Sequence, residues 1–155
     1  MNSDDLKKFI ADNDIKAEIV HLEEATLTVA DAAEVMGVQP EQIIKTVLFL
    51  ADGEPVLVIA SGLDRIAWKR LADYLGVSRR RLKTGNAEQV QAVTGYAVGA
   101  VPPFGHKAKL RTIVEQSVYE QAVVYGGGGE IDALMRLETA VLRRIVGDET
   151  GDFSE

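Results

Sequence analysis

Between Asp4 and Asp12, Leu6, Phe9 and Ile10 recur at helical spacing, and Asn13 with Asp14 ends that helix. The stretch Glu18–Leu22 then reads as a first strand. Thr28 is placed to cap a second helix, with Asp31 in its first turn, where a negative charge meets the positive end of the dipole. Val29, Ala32, Ala33 and Met36 share one face of that helix, and Gly37 closes it. Pro40 opens a short helical turn. The runs Thr46–Leu50 and Val56–Ala60 flank Asp52 and Gly53, a turn signal that predicts a β-hairpin, with Ala51 and Glu54 lengthening its loop. Both runs are apolar almost throughout, so these strands should be covered on both faces.

Beyond the hairpin, Asp64 is placed to cap a helix in which Trp68, Leu71, Ala72 and Leu75 follow the helical period and Gly76 is the stop. The segment Arg79–Lys83 is too polar for a core strand. A short helix is predicted from Asn86 to Thr94, ending at Gly95. Residues 95–105 form a loop punctuated by glycines and prolines. Strands are predicted at Leu110–Val114, Ala122–Tyr125 and Glu130–Leu134, with Gly126–Gly129 as a turn. Leu137, Val141, Leu142 and Ile145 predict a last amphipathic helix up to Gly147. The mixture of helices, hairpins and strands points to a mixed α/β fold of the α+β kind, not a doubly wound sheet.

The chain has 155 residues, enough for one domain with a real core, expected over residues 1–147. Residues 148–155 are expected to be a disordered acidic tail. Without cysteine there is no disulfide, thiolate nucleophile or Cys-ligated metal, and two histidines leave little for a His-rich site. No cofactor or metal is expected. No apolar run approaches the ~18 residues of a membrane span, and the charged start does not read as a signal peptide, so a cytoplasmic location is expected.

A net charge of -7 argues against bulk binding to duplex nucleic acid. The charge is uneven, however. Between Arg65 and Arg111 there are ten basic residues against two acids, Asp73 and Glu88. Either these cations solvate helix faces or they meet the phosphates of a partner on one side.

The sequence lacks a P-loop, a dinucleotide fingerprint, a nucleophile elbow and a zinc-protease motif. Gly126–Gly129 reads as a flexible hairpin loop or as an amide cradle. His21 beside Glu23 and Glu24 is read as structural. Lys45 stands at the threshold of an apolar strand, where an ammonium either snorkels to water or serves an anionic or carbonyl ligand. The segment Gly99–Pro103, running into Phe104 and Gly105, is either a tight corner or a stiff loop that aims its amides outward.

Lys45 and Thr46 opening an apolar hairpin, the GxxxP segment Gly99–Pro103, and a glycine-containing turn near Gly127 occur in this order. Together they resemble the YbaK/prolyl-tRNA-synthetase-associated editing domain family over nearly the whole chain. The resemblance implies a curved mixed sheet flanked by helices. It also implies an enzyme, an aminoacyl-tRNA deacylase that hydrolyses the ester joining a wrong amino acid to the 3′-terminal adenosine of a tRNA. By that resemblance Lys45, Gly99 and Gly127 are the catalytic positions, and Thr46, Ala100, Val101, Pro102, Pro103 and Gly126 surround the pocket. Arg79, Arg80, Arg81, His106, Lys107 and Lys109 become the candidate tRNA surface, with a synthetase as a further candidate partner. Members that clear alanine have Asn after the lysine and His in the late loop, whereas this chain has Thr46 and Gly127. A Lys-Thr pair occurs in cysteinyl-clearing members, which leaves cysteine, alanine, serine and threonine open. The alternatives are a non-catalytic tRNA-binding module and a synthetase-docking piece.

Overall fold

A computed structural model describes residues 1–23 and 28–155. The first helix, α1 (Ser3–Asp12), is capped by Asn2, whose Oδ1 accepts from the amides of Asp4 and Asp5, while Asp5 returns a bond to the Asn2 amide. Strand β1 (Ala17–His21) follows, then α2 (Val29–Met36), capped by Thr28 and closed by Gly37 as the sequence predicts. The hairpin is β2 (Ile44–Ala51) and β3 (Glu54–Ser61). Its loop is tighter than expected. Ala51 pairs with Glu54, leaving two turn residues, and Asp52 and Gly53 both take positive φ (51° and 86°), the geometry of a type I′ turn.

The remaining elements are α3 (Trp68–Leu75), β4 (Leu82–Thr84), α4 (Ala87–Thr94), β5 (Thr112–Glu115), β6 (Val123–Gly127), β7 (Ala133–Glu138), α5 (Thr139–Val146) and β8 (Thr150–Gly151). They form a mixed α/β fold with two open sheets. One is antiparallel, in the order β1-β7-β6. The other runs β4-β2-β3-β5-β8, antiparallel through β3 and parallel beyond it. A parallel bridge between Ile43 and Tyr125 links them just before Lys45.

The hairpin is buried on both faces, as its unbroken apolar runs imply. Ile44 and Ile59 join a core with Leu6, Met135 and Leu142 beneath α1 and α5. Phe49, Val56 and Val58 face the other way, against Leu71, Leu82 and Ile113. The alternation of strand side chains divides one hairpin between two cores.

Four further expectations need correction. Leu137, expected in the last helix, belongs to β7, where it pairs with Ala17 and Val124. Asp64 does not cap a helix, because α3 begins at Trp68 and its cap residue, Ala67, offers no side-chain bond. The glycine run is not all turn: Gly126 and Gly127 belong to β6 and pair with Met135 and Leu134, and the turn falls at 128–132, which moves β7 three residues later than predicted. Residues 148–155 are not a loose tail. Thr150 and Gly151 pair with Val114 and Glu115, and Phe153 is buried in the second core. Burying a phenylalanine contributes about 1.5–3 kcal/mol, enough to hold a short acidic segment whose composition alone suggests disorder.

Candidate active site

Strand β2 leaves the Ile43 bridge and immediately carries Lys45 into an open cavity of about 350 Å³. The N-terminal turn of α2 forms one side of it through Thr28, Val29 and Ala32, bringing the positive end of that helix to the same place as the ammonium. Gly99 and Val101 enter from the proline-stiffened loop, and Gly126 and Gly127 from the end of β6. The three candidate catalytic positions, Lys45, Gly99 and Gly127, therefore line one cavity, together with Thr46, Val101 and Gly126. Ala100, Pro102 and Pro103 do not line it. Ala100 is buried behind the loop, where its carbonyl accepts from Gly129, and Pro103 faces a second cavity.

Lys45 is half-buried, and one of its three N–H groups donates to the Asp64 carbonyl at 2.7 Å. Burial pushes the Lys45 pKa down, opposed by the nearby Asp64 carboxylate. Beside it, the Thr46 hydroxyl is buried without a hydrogen-bond partner among the described residues. Gly99 takes φ of 86°, a conformation that favours glycine, although there is open space where a side chain would go. Within this loop the Ala100 amide is consumed by the Ala97 carbonyl, and the two prolines have no N–H. Among the described residues the amides of Gly99 and Val101 have no intramolecular acceptor. These two are the donors the loop can offer to a ligand.

The candidate tRNA surface divides in two. Arg79, Arg80 and Arg81 form a 3-10 turn before β4, which pairs with the far end of β2. Lys45 and Ala51 are six positions apart on that strand, so this cluster sits about 20 Å from the candidate lysine. All three arginines are exposed, with Arg79 stacked over Trp68 at 4.2 Å and Arg81 paired with Asp52. His106, Lys107 and Lys109 lie instead on the loop beyond Gly105. His106 Nε2 is 2.7 Å from the Pro102 carbonyl, and burial lowers its pKa. The ring thereby braces the loop at Pro102. Lys107 and Lys109 are exposed.

Among the described residues His21 meets Glu130 and Asp132, and their ligand atoms lie within 4.8 Å of one another; Glu24, its neighbour in sequence, lies outside the described residues. Ser3 donates to Glu130 and the Lys7 ammonium lies 3.4 Å from the imidazole, so the protein's own groups engage two of the three. Sequence reasoning missed the wall residues Val29, Ala32, Ile44 and Leu134, and it missed Asp64 as the partner of Lys45. The spacing of Asp64 ahead of Trp68 imitates a helix cap and gives no sign of a carbonyl held for Lys45.

A family model described as an aminoacyl-tRNA editing domain matches residues 23–145. The chain belongs to that family. It is 31% identical over 109 residues to a proline–tRNA ligase of Nitratidesulfovibrio vulgaris (strain DP4), covering 70% of this chain and 19% of the ligase. A second proline–tRNA ligase, of Citrifermentans bemidjiense, is 32% identical over 91 residues, covering 59% of this chain and 16% of the ligase. The editing domain described here thus spans less than a fifth of the length of these relatives. A crystal structure described as a candidate trans-editing enzyme for prolyl-tRNA synthetase superposes with a TM-score of 0.91 at 25% identity, covering 99% of this chain and 96% of that one. Among the described residues, no helix of the editing domain is long and apolar enough to cross a membrane.

Proposed function

We propose that this editing domain is an aminoacyl-tRNA deacylase that frees small amino acids, such as cysteine, alanine, serine or threonine, from the 3′-terminal adenosine of a mischarged tRNA. The observation that carries the reading is the single cavity shared by Lys45, Gly99, Val101 and Gly127. Water adds to the ester carbonyl carbon and gives up a proton, the carbonyl oxygen becomes an oxyanion, and as the carbonyl re-forms the bond to the ribose oxygen breaks and the ribose oxygen takes a proton. The amides of Gly99 and Val101 suit the oxyanion, and one such donor contributes roughly 10²–10³ in rate. Lys45 keeps two N–H groups for a substrate oxygen or phosphate while its third is fixed on Asp64. Apolar walls from Val29, Ala32, Ile44 and Leu134 suit a small side chain. The proline–tRNA ligase relatives make tRNA for proline, wrongly charged, the first substrate to try, and a synthetase of that kind the first partner.

The test is release of amino acid from a panel of mischarged tRNAs by the parent chain and by Lys45→Ala. The reading expects release from at least one tRNA and its loss in the variant, with the far-UV spectrum and melting temperature retained. A parent chain that leaves the whole panel charged, while binding tRNA with strong salt dependence, would reassign it as a binding module.

A further inference from the structure

The carbonyl that holds Lys45 lies in the segment 62–67, between β3 and α3, which has no helix or sheet ladder of its own. On one side this segment is tied to the approach to β2, through the Gly62 amide on the Ile43 carbonyl at 2.6 Å. On the other it is tied to residues 153–155. The Ala67 amide donates to the Phe153 carbonyl, Ile66 bridges Ser154, and the Glu155 amide donates to the Arg65 carbonyl at 3.0 Å. The Asp64 carboxylate is fixed in the same way. Its Oδ2 accepts from Ser154 Oγ at 3.1 Å and from Ser117 Oγ at 2.8 Å.

We propose that residues 153–155 are a strap that positions Asp64 and, through the Asp64 carbonyl, the Lys45 ammonium in the editing cavity. Asp64 and Ser154 are positioning residues; neither lines the cavity. The proposal rests on the deacylase reading for its catalytic consequence, while the contacts themselves do not depend on it. The strap lies beyond residues 23–145, the part matched by the family model.

The strap is built to stay in place. Glu115 is 1% exposed, and its Oε2 accepts the Phe153 amide at 2.5 Å. Releasing the strap would leave a buried carboxylate short of a donor, a costly state. The Phe153 ring packs edge-on against Tyr74 and occupies the place where a side chain at residue 151 would be, which Gly151 leaves free. The Asp64 carboxylate also favours the ammonium form of Lys45.

Phe153 and Glu115 carry so much of the packing that Ser154→Ala is the cleaner probe, with Ser154→Thr as the conservative variant and Asp64→Asn to remove the charge. Two readouts are needed: deacylation kinetics, and titration of the Lys45 side-chain nitrogen by NMR in the folded chain. Ser154→Ala should lower kcat roughly ten- to a hundredfold with little change in KM, since misplacing a positioned group acts on the transition state, and Ser154→Thr should restore it. The Lys45 resonance should move in Ser154→Ala, and in Asp64→Asn the lysine should titrate at lower pH. If the Lys45 resonance moves but the parent releases no amino acid, the strap stands and the deacylase reading falls. If the parent is active while kcat and the Lys45 resonance are both unchanged in folded Ser154→Ala, the strap is overturned.

Discussion

The Gly127 Cα faces the Val101 carbonyl so closely that a methyl group placed on Gly127 would overlap that oxygen. This close approach joins the end of β6 to the GxxxP loop across one wall of the cavity. The next two glycines are no roomier, because a side chain at Gly128 would meet the Ala133 backbone and one at Gly129 the Ser3 backbone. The run therefore has a steric reason to hold glycine at each of these three positions.

Gly127→Ala is expected to push the loop out of place, costing about 1–3 kcal/mol as an overpacked site does, and to abolish deacylation. Gly99→Ala meets open space and pays only for its positive φ, about 1–2 kcal/mol, so it should keep measurable turnover. Urea denaturation together with deacylation rates separates the two. Equal turnover in both variants would show that the close fit of Gly127 against Val101 does not shape the site.

Thr46 makes a different prediction. Its hydroxyl is buried at the cavity without a partner among the described residues, so these residues gain nothing from it on folding. Thr46→Val, of similar shape, should leave stability unchanged or raise it by about 1 kcal/mol. If the hydroxyl bonds to the aminoacyl group, KM should rise several-fold with kcat nearly constant. A drop in stability, read by thermal melting, would mean the hydroxyl is satisfied in the fold.

Lys45 was legible because a lysine inside Ile43–Leu48 contradicts its surroundings, and the hairpin because both of its runs are apolar around Asp52 and Gly53. The helix Ala87–Thr94 was equally clear, since Asn86 and Gly95 bound it by local chemistry. What escaped was decided by distant parts of the chain. Four consecutive glycines carry no pattern, so only pairing with β7 reveals that two of them are strand. Phe153 stands alone among acids, and nothing nearby in sequence tells that Glu115 and β5 receive it. Asp64 was misread because an acid ahead of an amphipathic helix has the same pattern whether or not it caps. The cluster 79–81 was visible as charge, yet its distance from Lys45 depends on which end of β2 it pairs with.

That distance yields a third prediction. Arg80 and Lys83 are exposed beside the Asp52–Gly53 turn, whereas Lys107 and Lys109 follow the loop that lines the cavity. Neutralising Arg80 and Lys83 should weaken binding of full-length tRNA and reduce the slope of log affinity against log salt by about 0.7–0.9 for each phosphate that is no longer neutralised. The same change should leave binding of a charged 3′-terminal trinucleotide untouched, because about 20 Å separates this patch from the cavity. Arg111, engaged in two bonds to Glu149, serves as the control and should leave the salt slope unchanged when replaced. Equal weakening for both ligands in the Arg80 and Lys83 variant would contradict the division of the surface.

His106 links the loop to pH. The Pro102 carbonyl can only accept, so Nε2 carries the hydrogen at 2.7 Å, and the neutral ring satisfies it. Burial, the larger effect, lowers the native pKa below the ordinary 6.5, while the bond to Pro102 opposes the shift. Between the native value and 6.5 the unfolded chain binds a proton that the native chain does not. Stability contributed by the neutral ring is therefore fully present above about pH 6.5, declines as pH falls through the window, and levels off below the native pKa. Denaturation midpoints measured from about pH 8 to about pH 5 should show this decline in the parent and in a His21→Gln control. His106→Gln, which keeps a donor for Pro102, should lose the slope across that window, whatever its absolute stability. A parent chain whose midpoint stays level from about pH 7 to about pH 5 would mean that the imidazole is free to take its proton in place, and that the brace under Pro102 is not a buried neutral ring.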